Sequence, residues 1–171
     1  MKKLFLLVLP MMMSMLLAGC GYQIGYIGHP QLKTIAIAPV INETLVYNAA
    51  PQARTALVER FQTDGTLKVV DEKKADCIVY AKISSCSYQQ ISWSSTTSDK
   101  DLQPDQWSAT VAITYSVLIP GQAQPLVKNE TASGSAVFTS GPDMEISRSY
   151  AIQQAVFNAA KNVVIQVTEA W

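Results

Sequence analysis

From Trp107 to Ile119, apolar side chains recur at every second position, with mostly polar ones between them. Trp107, Ala109, Val111, Ile113, Tyr115, Val117 and Ile119 fall on one side, and Ser108, Thr110, Thr114 and Ser116 on the other. A period of two sustained over residues 107–119 is strand geometry, because a helix would scatter these residues around its axis. Pro120-Gly121 suits the two central positions of a type II turn. Leu126 to Phe138 then returns as the next strand, with Ala132, Gly134, Ala136 and Phe138 on one face and Asn129, Thr131, Ser133 and Ser135 on the other. Small residues on the first of these faces would let a helix lie close to the sheet.

The stretch before this hairpin is also extended. Val79, Ala81 and Ile83 share a face within Asp76–Trp93, while Cys86 and Tyr88 continue the apolar pattern in the opposite phase. A bulge near Ser84-Ser85 reconciles the two halves. Ser94–Gln106, rich in Ser, Thr and Asp, reads as a solvated loop. Asp99, Asp101 and Asp105 have EF-hand-like spacing there, but Pro104 stands where the calcium loop needs glycine.

Nearer the start, Thr34 to Val40 is a short and almost wholly apolar strand, the kind buried on both faces. After a loop containing Asn42, Thr44 and Asn48, Pro51 opens a helix, where its missing N–H costs nothing. Ala53, Leu57 and Phe61 recur every four residues along it, and Gly65 suits a left-handed C-terminal cap. Lys68–Asp71 is a second short strand, so this segment predicts a right-handed parallel strand-helix-strand crossover. A last helix runs from about Glu145 to Glu169, burying Ile152, Ala155, Val156, Ala159, Val163 and Val167. Beside that stripe lie Tyr150, Phe157, Val164 and Trp171, read as packing against the first helix. The order β-α-β-β-β-β-α predicts an α+β fold, with two helices on one face of a mixed sheet of four to five strands.

The N-terminus has a different character. Lys2 and Lys3 precede an apolar run from Leu4 to Leu17, and Leu17-Ala18-Gly19-Cys20 closes it. This is the layout of an export signal. The small residues set directly before a cysteine are similar to a bacterial lipobox, in which cleavage leaves an acylated cysteine as the new N-terminus. Two or three acyl chains on one residue hold a protein on a membrane durably, since each buried methylene contributes about 0.8 kcal/mol. The expected organisation is a signal peptide at 1–19, a glycine-rich tether at 20–31 and a single domain at 32–171.

Removing residues 1–19 from the chain of 171 leaves 152 residues, one domain's worth. The mature part has 11 basic and 13 acidic residues, a net of −2, and lacks the basic stripe of a nucleic-acid binder. Only 15% of the chain is charged, against about 25% in ordinary soluble domains. Cys77 and Cys86 lie in one predicted strand, about 30 Å apart at the usual rise, too far to pair with each other; they are expected to be free thiols. His29 is the only histidine and sits beside Pro30 in the tether. No metal-ligand spacing, catalytic triad or phosphate loop can be assembled, so no cofactor and no enzymatic activity are expected.

Several short signals occur together and in order. They are Cys20-Gly21-Tyr22, Ile35-Ala36-Ile37-x-Pro39-x-x-Asn42-x-Thr44, Phe61-Gln62-x-Asp64-Gly65, Val69-Val70-Asp71, Ala75-Asp76, and Val117-Leu118-Ile119-Pro120-Gly121. With the element order, they make the chain resemble the LptE family, lipoproteins of the lipopolysaccharide-assembly translocon. The resemblance implies a non-enzymatic lipoprotein on the periplasmic side of the outer membrane, held there by lipid on Cys20. It implies an LptD-like β-barrel as partner, plugged and assembled by this chain, and lipopolysaccharide as ligand. Small lipoproteins of curli secretion and cell-wall-synthase regulation share a similar strand-helix-strand opening and form the alternative class. The long hairpins after Ala75 and the single closing helix favour the LptE-like reading.

Within that resemblance two candidate surfaces stand out. Lys100 and Arg148 are cations able to meet lipopolysaccharide phosphates. They are expected at the end of the sheet where the lipid tether joins. Thr110, Thr114, Thr131 and Ser133 belong to a sheet face without charge, a candidate docking face for the barrel. The anchor itself can be tested directly. Cys20→Ala should abolish lipid attachment and slow or prevent cleavage of the signal. Metabolic labelling with a palmitate analogue reads this out, and label persisting on the alanine variant would refute the lipobox.

Overall fold

The structure, a computed structural model, describes residues 32–95 and 102–169. Strand β1 (Thr34–Ile37) and the two-residue β2 (Ile41–Asn42) lead into helix α1 (Ala49–Asp64). Strand β3 (Lys68–Val69) and a 3-10 turn (Glu72–Lys74) follow. Three long strands, β4 (Cys77–Ser95), β5 (Leu102–Leu118) and β6 (Val127–Thr139), precede helix α2 (Met144–Glu169). The strands form one mixed sheet in the order β3-β1-β4-β5-β6, with β2 beside β4. β1 is parallel to β3 and β4, whereas β5 is antiparallel to both β4 and β6.

The α+β fold is the one expected, with a sixth strand added. Pairing of the chain along β4 continues past Ile37, where Ala38 N–H donates to Val79 O at 3.0 Å. It resumes beyond Pro39 at β2, which a two-residue segment cannot announce by periodicity. Helix α1 begins two residues before Pro51, after Asn48 in a left-handed conformation (φ 59°). Pro51 thus sits in the first turn, where N–H groups lack helical partners anyway. Gly65 ends the helix as expected, at φ 73°, with its N–H donating to Phe61 O at 3.1 Å. The predicted loop at 94–106 is shorter than expected, because the β4–β5 ladder continues to Ser95 and Leu102.

The core lies between the sheet and the two helices. Ile35, Val79, Ile83, Val111, Ile113 and Val117 from the sheet meet Leu57 and Phe61 of α1 and Val156 and Val163 of α2, all essentially inaccessible. Each such side chain contributes about 1.5–3 kcal/mol relative to exposure. The second row on α2 divides. Val164 is buried, and Phe157 is half-buried under the Arg60 guanidinium, 3.7 Å above its ring. Tyr150 is exposed instead, and Trp171 lies outside the described residues. Cys77 and Cys86 are free. Burial pushes the Cys77 thiol up to about 11, so it stays protonated at neutral pH.

Helix α2 approaches β6 backbone to backbone at Gly134. A Cβ there would overlap the amide nitrogen of Ala159 and the carbonyl oxygen of Ala155. This fulfils the expectation raised by Ala132, Gly134 and Ala136. The close approach lets two asparagines of α2 reach the outer edge of β6. Asn162 Nδ2 donates to Ser133 O at 2.7 Å, and Asn158 Nδ2 donates to Ser135 O at 2.9 Å. Gly134→Ala is expected to cost about 1–3 kcal/mol or more, because backbone cannot move aside as a side chain can. Gly141→Ala, with open space around the new Cβ, should be nearly neutral. Urea unfolding compares the two, and equal midpoints would contradict the close-contact account.

Candidate partner-docking surface

The face of the sheet away from the helices is built by β4, β5 and β6. Rows run across it in register. Gln89, Ser108 and Val137 form one, Ser87, Thr110 and Ser135 the next, then Ser85, Ala112 and Ser133. No side chain in these three rows is charged. The following row is Lys82, Thr114 and Thr131. Lys82 lies at its margin with Nζ 3.0 Å from Glu43 Oε1. Thr114 and Thr131 hydroxyls are hydrogen-bonded across the strands at 3.1 Å. Ser116 Oγ donates to Asn129 Oδ1 at 3.3 Å and accepts from Asn129 N–H at 3.0 Å. Asn129 takes φ 52° at a bulge, where β6 carries one more residue than β5.

Thr110, Thr114, Thr131 and Ser133 therefore share one face, as expected. The face is wider than β5 and β6 alone, since Ser85, Ser87 and Gln89 of β4 join it. The register shift between Ile83 and Ser85 is what turns them there. The change of apolar phase at Ser84-Ser85 was the sequence signal for it.

The candidate cations fare differently. Lys100 lies outside the described residues, as do Asp99 and Asp101. Arg148, in the first turns of α2, donates to Glu145 Oε2 at 2.6 Å and stands 5.6 Å from the Tyr88 ring. The end of the sheet assigned to it is corrected by the topology. β1 and β4 are parallel, with Ile35 beside Cys77, so residue 32 joins the fold where β4 begins. The β4–β5 hairpin and the β6–α2 connection lie at the opposite end. Exposed apolar side chains toward that end include Ile91, Trp93 and Ile146, while Leu45 and Tyr47 belong to the 43–48 loop beside the middle of β4.

Two of the short sequence signals prove to be local clamps. Asn42 Oδ1 accepts from Thr44 N–H at 3.0 Å and Thr44 Oγ1 at 2.7 Å, while Asn42 Nδ2 donates to Val46 O at 2.8 Å. This shapes the 43–48 loop. Asp76 Oδ2 accepts from the backbone N–H groups of Lys33 and Thr34, both at 2.9 Å, and fastens the start of β1 to the start of β4. The Lys33 bond, then those to Thr34, hold its carboxyl below the usual value. Among the described residues, no group of three or more His, Cys, Asp or Glu side chains could hold a metal ion.

This architecture recurs in bacterial lipoproteins. A minor lipoprotein from Acinetobacter baumannii matches with a TM-score of 0.53 at 9% identity, over 81% of this chain and 94% of that one. An uncharacterized lipoprotein B from Nitrosomonas europaea gives 0.52 at 13% identity, over 81% and 84%. A Xanthomonas campestris protein gives 0.53 at 10% identity, over 83% and 91%. At these identities what is shared is the fold. No protein-family model matches the chain, and no curated protein matches it.

Proposed function

We propose that the mature chain is a non-enzymatic, LptE-like lipoprotein, anchored through acylated Cys20 to the periplasmic side of the outer membrane. In this reading it plugs an LptD-like β-barrel and helps assemble it for lipopolysaccharide transport to the cell surface. The lipobox and the fold held in common with lipoproteins support the anchor. The uncharged Ser/Thr face of β4, β5 and β6 carries the barrel partner. An exposed sheet normally shows Lys or Glu on its solvent side. Surfaces that become buried against a partner lose charge, since a charge stripped of water without a counter-ion is costly. Hydroxyl groups instead exchange water for the polar groups that line a barrel's interior.

Thr110→Glu with Thr114→Glu tests this reading. Circular dichroism should show the variant folded, because both residues lie on the sheet face away from the core. Its co-purification with the barrel should fall at least tenfold, equivalent to about 1.4 kcal/mol. A normal yield of complex with an intact outer-membrane permeability barrier would exclude this docking face.

Lipopolysaccharide phosphates would be met by Lys100 and Arg148. Arg148 must then exchange Glu145 for phosphate, an exchange of one exposed carboxylate for a stronger anion. The Lys100→Glu, Arg148→Glu double variant should bind purified lipopolysaccharide more weakly. Unchanged affinity in a folded variant removes the two cations from the binding site.

A further inference from the structure

Strand β4 is paired unevenly along its two edges. One edge follows β5 throughout. On the other, β1 and β2 reach only to Ile83, whose carbonyl accepts Glu43 N–H at 3.0 Å. The Asn42–Thr44 clamp then turns the chain off toward α1. From Ser85 to Trp93 no described residue pairs with this edge. Ladder parity gives its orientation. Ile83 points its carbonyl outward and stands opposite Ile113; Cys86 and Tyr88 stand opposite Val111 and Ala109, in phase with Ile113 on β5. Cys86, Tyr88 and Gln90 therefore turn their N–H and C=O groups outward.

The sheet's other edges are managed. β3 is only two residues long, and the outward carbonyls of Ser133 and Ser135 on β6 are taken by Asn162 and Asn158. The open edge of β4 has no such device. Residues 85–93 read Ser-Cys-Ser-Tyr-Gln-Gln-Ile-Ser-Trp, with no charge, proline or glycine. Natural open edges usually carry charge, proline or a cover, and a bare segment of this composition is prone to aggregate. The edge forms one wall of a groove of about 890 Å³. The 43–48 loop with Leu45 and Tyr47 is the opposite wall, and Arg148 and Ile152 of α2 lie in it. Its charged members are paired within the chain, Glu43 to Lys82 and Arg148 to Glu145.

We propose that the β4 edge from Ser85 to Gln90 accepts one extended, uncharged segment of the barrel partner, added as a strand in line with β1 and β2. The inference rests on the barrel reading above and deepens it. Backbone groups facing outward recognise another backbone, and the internally neutralised groove selects an uncharged one. The side chains of Ser85, Ser87 and Gln89 belong to the uncharged face, so an added strand widens that face without a break. A second copy of the chain fits poorly, because the 43–48 loop stands where a second sheet would have to continue.

Site-resolved hydrogen exchange on the acylated protein, alone and in its co-purified barrel complex, tests the proposal. The amides of Cys86, Tyr88 and Gln90 should exchange quickly in the isolated protein and at least tenfold more slowly in the complex. Tyr88→Pro deletes an outward donor while sparing the β5 ladder, and should lower complex yield about tenfold. Tyr88→Ala removes the same side chain but keeps the N–H, and should retain more complex than the proline variant. If the complex forms and the three amides stay fast, strand addition is overturned while the barrel reading stands. If no complex forms, both fall. Slow exchange already present in the isolated monomer, or protection that tracks formation of a dimer, would also overturn the proposal by naming a different occupant.

Discussion

The contact between the backbones of Gly134 and α2 governs the rest of the architecture. Without a Cβ at this position, the helix sits close enough for Asn158 and Asn162 to hydrogen-bond the outer edge of β6. The same approach brings Ala155, Ala159 and Val163 onto the sheet and leaves α1 to fill the remaining space over β1 and β4. One glycine thus fixes the helix layer, closes an edge and leaves the opposite face of the sheet uncovered. A larger residue would lift α2 and loosen all three arrangements together.

Much of this organisation is legible in the residues. The alternation in β5 specifies its two faces, and the phase change at Ser84-Ser85 marks the bulge found between Ile83 and Ser85. Gly65 and the small residues of β6 indicate a helix end and a close helix. Other features carry no periodic signal. β2 is too short to have a pattern, and Asn48 in a left-handed conformation starts α1 ahead of Pro51. The end at which Arg148 lies depends on the parallel pairing of β1 with β4, a long-range contact. The roles of Asn42, Thr44 and Asp76 emerge only from their bonds: they shape a loop and fasten two strand starts. Conspicuous residues in short motifs can therefore serve the fold alone.

The candidate site was readable as a class of surface more than as a set of atoms. Hydroxyl-bearing residues at every second position predict an uncharged face, and the structure assembles them into rows across three strands. The open stretch of β4 edge is a different matter. An edge is defined by where its neighbours stop, and β2 stops because a side-chain amide two residues before Thr44 bends the chain away. Nothing in residues 85–93 by themselves distinguishes an edge from an interior strand. What they do show is the lack of any device that would make an edge safe in isolation.

The length of β4 bears on how such a molecule could occupy a membrane. Nineteen residues at about 3.3 Å each make a strand of roughly 60 Å. A bilayer with its headgroups is about 40–45 Å thick. Because β1 runs beside the start of β4, residue 32 and the hairpin end of β4 and β5 stand at opposite poles of this rod. Under the proposed function, with acyl chains on Cys20 in one leaflet and the rod upright inside a barrel, its far pole would be long enough to pass beyond the opposite headgroups. One chain plugged in that way would offer a surface on each side of the membrane while the barrel wall, and not its own sheet, met the lipid.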